Sequence, residues 1–599
     1  MEELKNRTDI ASDYKWNLNA MFLNEELYDQ EVRLVVAASN RVLEYKNKIM
    51  NSSENLYQFY LDYEKFSRLQ DKVYMYARLL FDSDTTNVVS QTRKMKLDKL
   101  FEQIQAKLSF ISPEMLSVSY DLVLDFIKEN KKLAKFTFDL EQLFKYRNHI
   151  LSKEGELLLT KATNVMGTGA QVFNCLDNTD INLGTIIDEN GDSVIVTNSN
   201  YSVYMKSKDR RVRKDAFNNM YTYWKSIKNT VATTLKGTIK ECSFVSEVHK
   251  FDSKLKESLF ADDIDISVYE NLIKTVHLNV DKIDDYMILR KKILQLDSLH
   301  MYDIYVPLAN SVVKNISFDS AKNIIFNALK PLGEVYLRDL EKAFSEKWID
   351  IYPSIGKKSG AYSFGCYDSY PYLLINYEND INSVSTLAHE LGHSMHSYYS
   401  NSNQDYTYHS YPIFLAEIAS TVNEMLINEY LYNQAKTKEE KIFYLTEFLD
   451  KIRTTICRQT MFAEFEMIMF TKEKEGVALT ETEFSNTYYN LNKQYYGDNV
   501  VMDDLIRYEW ARIPHFYTPF YVYKYATGLS AAIAISKAIL AGDVKVKANY
   551  LKFLASGGSD KPLNILKEVL IDMTTCKPIE DAFDMFNQKL EELKKLCDV

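Results

Sequence analysis

The chain has 599 residues, of which 46% are hydrophobic, enough for a large buried core and for several domains. Its formal net charge of -11 argues against nucleic acid as a partner, because phosphate binding depends on clustered lysine and arginine. Glycine and proline are scarce, with 17 and 10 copies, which favours long helices joined by few tight turns. We therefore expect a mainly α-helical protein.

The sequence predicts no membrane partner. The most apolar run, from Gly528 to Gly542, is interrupted by Lys537 and is too short to span a bilayer. The N-terminus lacks the apolar stretch of a secretion signal. The six cysteines are scattered without a Cys-x-x-Cys pair, which fits a reducing compartment better than a disulfide framework. These features predict a cytoplasmic protein and leave its oligomeric state open.

In chain order, the first region with helical periodicity covers residues 24 to 150. Within it, Ser-Pro-Glu at 112 to 114 is typical of a helix start with proline in the first turn. Residues 180 to 200 break the periodicity, and two short β-type runs around an Asn-Gly pair predict a β-hairpin. Helical periodicity resumes near residue 207 and continues to about 348.

The segment from 353 to 377 differs from the helical regions. Three glycines punctuate it, and Tyr-Leu-Leu-Ile-Asn-Tyr at 372 to 377 is typical of a strand. A small sheet here could bind an extended peptide along its edge through backbone hydrogen bonds. The candidates for that edge are Ala361, Tyr362 and Ser363. The alternative is a structural hairpin that packs under the following helix.

Residues 388 to 393 read Ala-His-Glu-Leu-Gly-His and contain the strongest signal in the chain. Histidines at positions i and i+4 lie on one face of a helix, so His389 and His393 can bind the same metal ion. Glu390, about 100° around the helix from His389, can act on water without being a ligand. Roughly 0.01 chance matches are expected in a chain of this composition, so the motif predicts a zinc site. The alternative is a helix whose histidines only satisfy hydrogen bonds in the core.

A zinc site needs a third protein ligand. A histidine at 399 would be the short route, but that position holds Tyr399. Glu417 stands in an apolar, helix-like run, where a carboxylate is costly to bury unless it is paired or binds a metal. Glu424, on the same stripe, is a candidate hydrogen-bond partner for a ligand histidine. Both glutamates could instead be solvated helix charges, and His396 either lines the cleft or is an ordinary core histidine.

The segment from 513 to 528 contains His515 and four tyrosines, Tyr517, Tyr521, Tyr523 and Tyr525. Peptide hydrolysis builds negative charge on the carbonyl oxygen, and a Tyr O–H or His N–H placed there stabilises it. The chain has 43 tyrosines, so each of these four is equally well explained as a packing aromatic.

The run from His389 to Glu424, with Phe-Leu-Ala-Glu-Ile-Ala-Ser-Thr at 414 to 421, resembles the thimet-oligopeptidase-like zinc peptidases. It is most similar to their bacterial oligoendopeptidase F branch, and the likeness covers nearly the whole chain. The other similar segments are residues 7 to 10, 14 to 18, 165 to 174, 360 to 363 and 514 to 523.

This resemblance implies a multi-helical zinc peptidase with a deep central substrate channel and a small β-sheet near the active site. It implies one zinc ion bound by His389, His393 and Glu417, with Glu390 as the general base. The other residues that it implies are the oxyanion donors His515 and Tyr523, the substrate contacts Gly360, Ala361, Tyr362, Tyr517 and Tyr521, and the outer residues Glu424 and His396.

We also expect the chain to divide into three regions. These are an N-terminal helical region at 1–115, a middle oligoendopeptidase-F-like segment with a hairpin at 116–200, and a catalytic zinc metallopeptidase domain at 201–599.

The predicted function is hydrolysis of internal peptide bonds in short oligopeptides by a metal-activated water. Oligopeptide substrates are the only predicted partners. A metallocarboxypeptidase of similar helical fold is the nearest alternative, and a non-catalytic peptide-binding scaffold is the other. Cobalt or manganese could replace zinc, since ligand type alone discriminates poorly between these ions.

Overall fold

Helices dominate the computed structural model, which describes residues 4–309 and 315–598. The predicted mainly α-helical class is confirmed. The helices of these described residues are α1 (Glu25–Leu43), α2 (Ser53–Ser83), α3 (Val88–Leu108), α4 (Ile111–Leu116), α5 (Tyr120–Glu129), α6 (Thr137–Phe144), α7 (Lys153–Met166), α8 (Thr168–Asn178), α9 (Asn198–Met205), α10 (Arg210–Ser226), α11 (Lys228–Val248), α12 (Lys254–Ala261), α13 (Ile266–His277), α14 (Val280–Ile293), α15 (Phe318–Ala328), α16 (Glu334–Ser345), α17 (Ile381–Asn403), α18 (Ile413–Gln434), α19 (Lys438–Ile452), α20 (Arg458–Lys474), α21 (Glu481–Tyr496), α22 (Tyr523–Leu540), α23 (Val544–Leu554), α24 (Pro562–Glu568) and α25 (Lys577–Cys597).

The strands are short and form three small sheets within the described part of the chain. They are β1 (Thr185–Ile187), β2 (Ser193–Ile195), β3 (Leu299–His300), β4 (Ile349–Asp350), β5 (Tyr362–Phe364), β6 (Tyr372–Leu374) and β7 (Val500–Val501). Strands β1 and β2 pair antiparallel, which confirms the predicted hairpin. The helical region predicted from 207 to 348 is interrupted by strand β3 and the turns that follow it, and its residues 310–314 lie outside the described residues.

The chain divides into two compact units, each built from separate stretches of sequence. Unit 1 consists of Met1–Asn148, Val313–Ile427 and Ile535–Leu570, and unit 2 consists of His149–Val312, Asn428–Ala534 and Ile571–Val599. The three-region division expected from the sequence follows the chain rather than these units, and it stays a prediction.

Unit 1 has a core in which the N-terminal helices pack together with strand β6. Helix α2 begins at a capped end, where the Ser52 side chain accepts a hydrogen bond from the backbone N–H of Asn55. Strand β6 contributes Tyr372 and Leu374 to the same core. The sheet order is β4-β6-β5, with β4 parallel and β5 antiparallel to β6. Strand β5 therefore lies at the edge of this sheet.

Unit 2 contains a buried charge that is fully surrounded by partners. Glu509 accepts hydrogen bonds from Tyr221 and Tyr488 and from the guanidinium of Arg458, the last at 2.8 Å. A carboxylate removed from water needs such compensation. Helix α20, which carries Arg458, follows a π-helical turn at Arg453–Cys457.

None of the helices in the described residues is both long enough and apolar enough to cross a membrane.

Candidate active site

Helix α17 carries the His-Glu-x-x-His motif on a buried element. Its first turn is capped by Asp380, whose side chain accepts a hydrogen bond from the backbone N–H of Ser383 at 2.7 Å. The apolar positions expected from the sequence, Val384, Leu387, Leu391 and Met395, are all fully buried. Packing of these apolar side chains in the core therefore fixes the position of the helix.

Helix α18 packs against α17 at very short range because of one glycine. A Cβ at Gly392 would lie 2.5 Å from the Cα of Ser420, so only glycine allows this approach. Nearby, the Asn423 side-chain amide donates a hydrogen bond to the carbonyl of Ala388 at 3.0 Å. These contacts bring the glutamates of α18 to the histidines of α17.

Three side chains converge as possible metal ligands. The donor atoms of His389, His393 and Glu417 all lie within 4.8 Å of one another. The two Nε2 atoms are 3.2 Å apart, and the Nε2 of His389 is 3.9 Å from Oε2 of Glu417. Two nitrogens bound to one tetrahedral zinc at about 2.0–2.1 Å lie about 3.3 Å apart. The donor set therefore fits a zinc ion.

Each ring also has a second partner. Nδ1 of His389 donates to Oε1 of Glu424 at 2.5 Å, and the His393 ring has a hydrogen bond with the backbone of Ala416. The bond with Glu424 leaves the Nε2 lone pair of His389 free to bind a metal ion. The role of Glu424 as the outer partner of a metal ligand stays a prediction.

The surroundings shift the pKa values of the two rings in opposite directions. Burial acts to lower the pKa of His389, but the hydrogen bond with Glu424 and the nearby carboxylates outweigh it and raise the pKa. Burial and the neighbouring His389 lower the pKa of His393 to about 3. A neutral imidazole is the form that binds a metal ion.

Glu390 is not part of this donor group, and its residue exposure is only 7%. Burial, and then the charge of Glu417, raise the pKa of Glu390 to about 7. Its carboxylate accepts a hydrogen bond from the backbone N–H of Ser363 in β5. The Ser363 hydroxyl lies 2.8 Å from the hydroxyl of Ser394 on α17. The edge strand is therefore joined directly to the motif helix.

The predicted substrate segment forms this edge. Gly360 has a φ of +83°, a left-handed conformation that favours glycine, just before the strand begins. Tyr362 lies on the strand itself and donates a hydrogen bond to Asp82 at 2.8 Å. Ala361 lies between them and is partly exposed.

His396 is fully buried and stacks on Tyr411, with ring centroids 3.6 Å apart. Burial lowers its pKa to about 3, so the ring is neutral. It occupies the interior of unit 1, and its role next to the metal ligands stays a prediction.

The residues predicted to stabilise the oxyanion belong to unit 2. His515 lies on a short 3₁₀ helix, Pro514–Tyr517, and its ring centroid is 6.1 Å from that of Tyr525. Tyr521 also contacts Tyr525, at 5.4 Å. Burial, and then the charge of Arg458, lower the pKa of His515.

The other two tyrosines of this segment are held more tightly within unit 2. The Tyr517 hydroxyl lies 2.7 Å from the Thr234 hydroxyl, and its ring stacks on Phe173 at 4.3 Å. Tyr523 is buried, and its ring centroid lies 5.3 Å from that of Tyr269. The roles of all four unit 2 residues stay predictions.

Two residues that shape the site did not stand out in the sequence. Gly392 is inside the motif but occupies one of its variable positions, so nothing in the pattern marks it. Asn423 is a polar residue in a mostly apolar run, and that contrast was the available signal.

A mainly helical fold with a His-Glu-x-x-His motif and a third donor from a following glutamate is typical of helical metallopeptidases. The profile described as "Peptidase family M3" matches residues 203–585, and the one described as "Oligopeptidase F" matches residues 114–182. The chain belongs to peptidase family M3, in agreement with the resemblance seen in its sequence.

Relatives that match nearly the full chain support this family assignment. The chain is 39% identical to the oligopeptidase PepF of Bacillus subtilis, over 99% of this chain and 89% of that protein. It is 37% identical to the group B oligopeptidase PepB of Streptococcus agalactiae, over 99% of this chain and 98% of that one. These relatives indicate that this chain is a metalloendopeptidase.

Solved structures show the same fold. The crystal structure of a Chlamydophila abortus peptidase matches with a TM-score of 0.92 and 35% identity, over 99% of this chain and 100% of that one. The oligoendopeptidase F of Enterococcus faecium matches with a TM-score of 0.74 and 33% identity, over 96% and 99% of the two chains.

Proposed function

We propose that this metalloendopeptidase holds one zinc ion with His389, His393 and Glu417 and cleaves internal bonds of short oligopeptides. The observation that carries the proposal is the convergence of three donor side chains, two of them with ring nitrogens 3.2 Å apart. When bound, zinc supplies Lewis acidity, which polarises a peptide carbonyl and lowers the pKa of water toward about 7.

Glu390 acts as the general base in this proposal. Its carboxylate takes a proton from the attacking water and later delivers that proton to the leaving nitrogen. Burial, the largest cause of its raised pKa, makes this carboxylate a stronger base than an exposed one. The hydrogen bond from the Ser363 N–H fixes the carboxylate at the edge of the sheet.

Strand β5 holds the substrate. A peptide that adds to its free edge gains backbone hydrogen bonds whatever its side chains are, which suits an enzyme for varied oligopeptides. Gly360, Ala361 and Tyr362 form this edge in the proposal. Its position next to Glu390 supports the assignment, because the scissile bond must lie within reach of the base.

His515 and Tyr523 donate hydrogen bonds to the carbonyl oxygen as it becomes negative. The lowered pKa of His515 keeps one ring nitrogen as a neutral N–H donor at pH 7. Burial raises the pKa of Tyr523, which keeps its hydroxyl protonated. Tyr517 and Tyr521 are proposed as substrate contacts. The cytoplasmic location and the deep channel stay predictions.

The test uses a quenched fluorescent peptide whose C-terminus is amidated. A carboxypeptidase needs a free C-terminus, so cleavage of this peptide identifies an endopeptidase. We expect cleavage that stops when a chelator removes the metal and returns with added zinc. Resistance of the peptide to the zinc-loaded protein would contradict the proposed activity.

The variant Glu390→Gln tests the base. We expect it to keep one zinc per chain but to lose about 10²–10⁴-fold in kcat, the usual contribution of a general base. Zinc content by atomic emission and initial rates provide the two measurements. Glu378→Gln is the matched control, since Glu378 is an exposed glutamate that precedes the same helix. Near-normal turnover in Glu390→Gln would refute the assigned role.

A further inference from the structure

A cavity of about 390 Å³ lies along the edge strand of unit 1. Strand β5 and the residues just before it form most of its wall, and Arg78 of α2 completes it. Among the described residues that line it, Arg78 and Lys358 are cationic and none is acidic. The protein as a whole is acidic, with a net charge of -11, so a locally cationic cavity next to the proposed peptide edge is distinctive.

The buried carboxylate of Asp82 positions both cations. Oδ2 of Asp82 lies 3.5 Å from Nε of Arg78 and 3.6 Å from Nζ of Lys358. The same oxygen accepts the 2.8 Å hydrogen bond from the Tyr362 hydroxyl. Two positive charges thus share one negative charge, which leaves a net charge of about +1 in this cluster.

Exposure shows which of these groups can meet a ligand. The Asp82 side chain is 3% exposed, whereas those of Arg78 and Lys358 are 37% and 39% exposed. The carboxylate is therefore shielded, and the cations present their surface to the cavity. The Lys358 ammonium lies over the Tyr362 ring at 5.4 Å, and the Arg78 guanidinium lies over the Phe364 ring at 5.7 Å.

The two faces of β5 have different surroundings. The Ser363 side chain faces α17, where its hydroxyl lies 2.8 Å from that of Ser394. Tyr362 and Phe364 contact the cations and Asp82 instead. Side chains of a strand alternate between faces, so every second residue of a peptide paired with β5 would point toward the cations.

We propose that Arg78 and Lys358 form a carboxylate-binding subsite of this peptidase. It selects peptides that place a carboxylate, from an acidic side chain or from the C-terminus, at a position facing the Tyr362 side of the sheet. This inference rests on the proposed function and on peptide addition to β5. The alternation of the strand makes the preference specific to alternate peptide positions.

The first experiment scans a single Glu, against Gln, along an amidated fluorescent peptide. At alternate positions on one side of the cleaved bond, we expect Glu to raise kcat/KM about three- to tenfold over Gln, the range of a partly exposed charge-assisted contact. The preference should shrink in 1 M salt, because partly exposed charges are screened. A second arm compares free and amidated C-termini on peptides of several lengths, which separates a terminal carboxylate from a side-chain carboxylate.

Variants assign the effect to the two cations. In Arg78→Gln and in Lys358→Gln, we expect the Glu-to-Gln ratio of kcat/KM to fall toward 1. In Lys358→Glu, the ratio should fall below 1, and a peptide with Lys at that position should become the better substrate. Lys128→Gln is the matched control, since Lys128 is an exposed lysine that also pairs with an aspartate, and it should keep the wild-type ratio.

The outcomes separate this inference from the proposed function. If the wild-type protein cleaves the amidated Gln peptide but shows no Glu or C-terminal carboxylate preference at any position, the subsite is refuted and the peptidase assignment stands. A preference that persists in both Gln variants also refutes the subsite. If no peptide is cleaved by the zinc-loaded protein, the proposed function fails, and the subsite fails with it.

Discussion

Hydrogen bonds to the rings of His389 and His393 affect how well the proposed site binds a metal ion. His389 is oriented by a charged partner, Glu424, while the His393 ring has a hydrogen bond with the backbone of Ala416. A carboxylate on the far nitrogen raises the basicity of a ligand imidazole and fixes its tautomer. Of the two contacts, only the one with Glu424 can be removed by substituting a side chain.

We predict that Glu424→Gln weakens zinc binding by about 10- to 100-fold, because glutamine keeps the shape of the contact but not its charge. Competition with a chromophoric chelator measures the zinc dissociation constant. Glu378→Gln again serves as the control and should bind zinc like the wild-type protein. Unchanged affinity in Glu424→Gln would mean that the hydrogen bond does not tune the ligand.

The sequence was most informative about residues whose chemistry is local. The two histidines and Glu390 follow from spacing on one helix, which requires no knowledge of the rest of the fold. Arg78 and Asp82 could not be predicted, because they come from a helix about 280 residues away from Tyr362, the residue that they surround. Only tertiary packing brings such groups together.

Among the elements, the packing of α17 on α18 depends on Gly392. We predict that Gly392→Ala destabilises the protein by about 1–3 kcal/mol, the usual cost of overpacking a tight core, because its Cβ would meet the Ser420 backbone. The measurement is the free energy of unfolding in urea, together with zinc affinity, which should also fall as the helices separate.

Gly237→Ala is the control for this helix packing. Gly237 lies inside α11, and a Cβ there would meet nothing within 4 Å. The better helix propensity of alanine should stabilise this variant by about 0.5–1 kcal/mol. If both alanine variants change stability in the same direction, close approach at Gly392 is not the cause.

Strand β4 is held by a buried ion pair that links stability to pH. Asp350 binds Arg7, and it also pairs with Lys357 at 2.8 Å. Burial acts to raise the pKa of Asp350, but the two cations outweigh it and hold the pKa below its ordinary value of 3.8. A depressed folded-state pKa contributes stability above the unfolded pKa, and this stability is lost as pH falls through the folded one.

We predict that Asp350→Asn lowers the free energy of unfolding by about 3–5 kcal/mol at pH 7, because it leaves a buried lysine without its counter-charge. The deficit should begin to shrink below about pH 4, where this carboxylate gains a proton in the unfolded wild-type chain while the folded state still resists protonation. Urea unfolding between pH 3 and 7 provides the test. A deficit that does not change with pH would show that lost packing, not charge, is responsible.

Element types were predictable in this chain for physical reasons, but their assembly was not. The hairpin at β1 and β2 is confirmed because an Asn-Gly pair marks its turn, and strand β6 is confirmed because a short apolar and aromatic run marks it locally. The parallel pairing of β4 with β6 has no such signal, since a two-residue strand is too short to show a period.

At the scale of the whole molecule, the scarcity of glycine and proline predicted a helical body, and that prediction is confirmed. The discontinuous units were not predictable, because the chain returns to unit 1 after long excursions and no linker composition marks the crossings. The three proposed metal donors nevertheless all belong to unit 1, although they come from two different helices.

This distribution predicts a local response to metal removal. Zinc at 100 to 1,000 times its dissociation constant stabilises the state that binds it by about 2.7–4.1 kcal/mol. We expect a chelator to speed amide hydrogen exchange in α17 and in the first part of α18, because these helices hold the donors, while α11 in unit 2 keeps its protection. His393→Ala, which removes a donor, should show the faster exchange without a chelator and no further change when one is added. Equal loss of protection across both units on chelation would contradict a metal centre confined to unit 1.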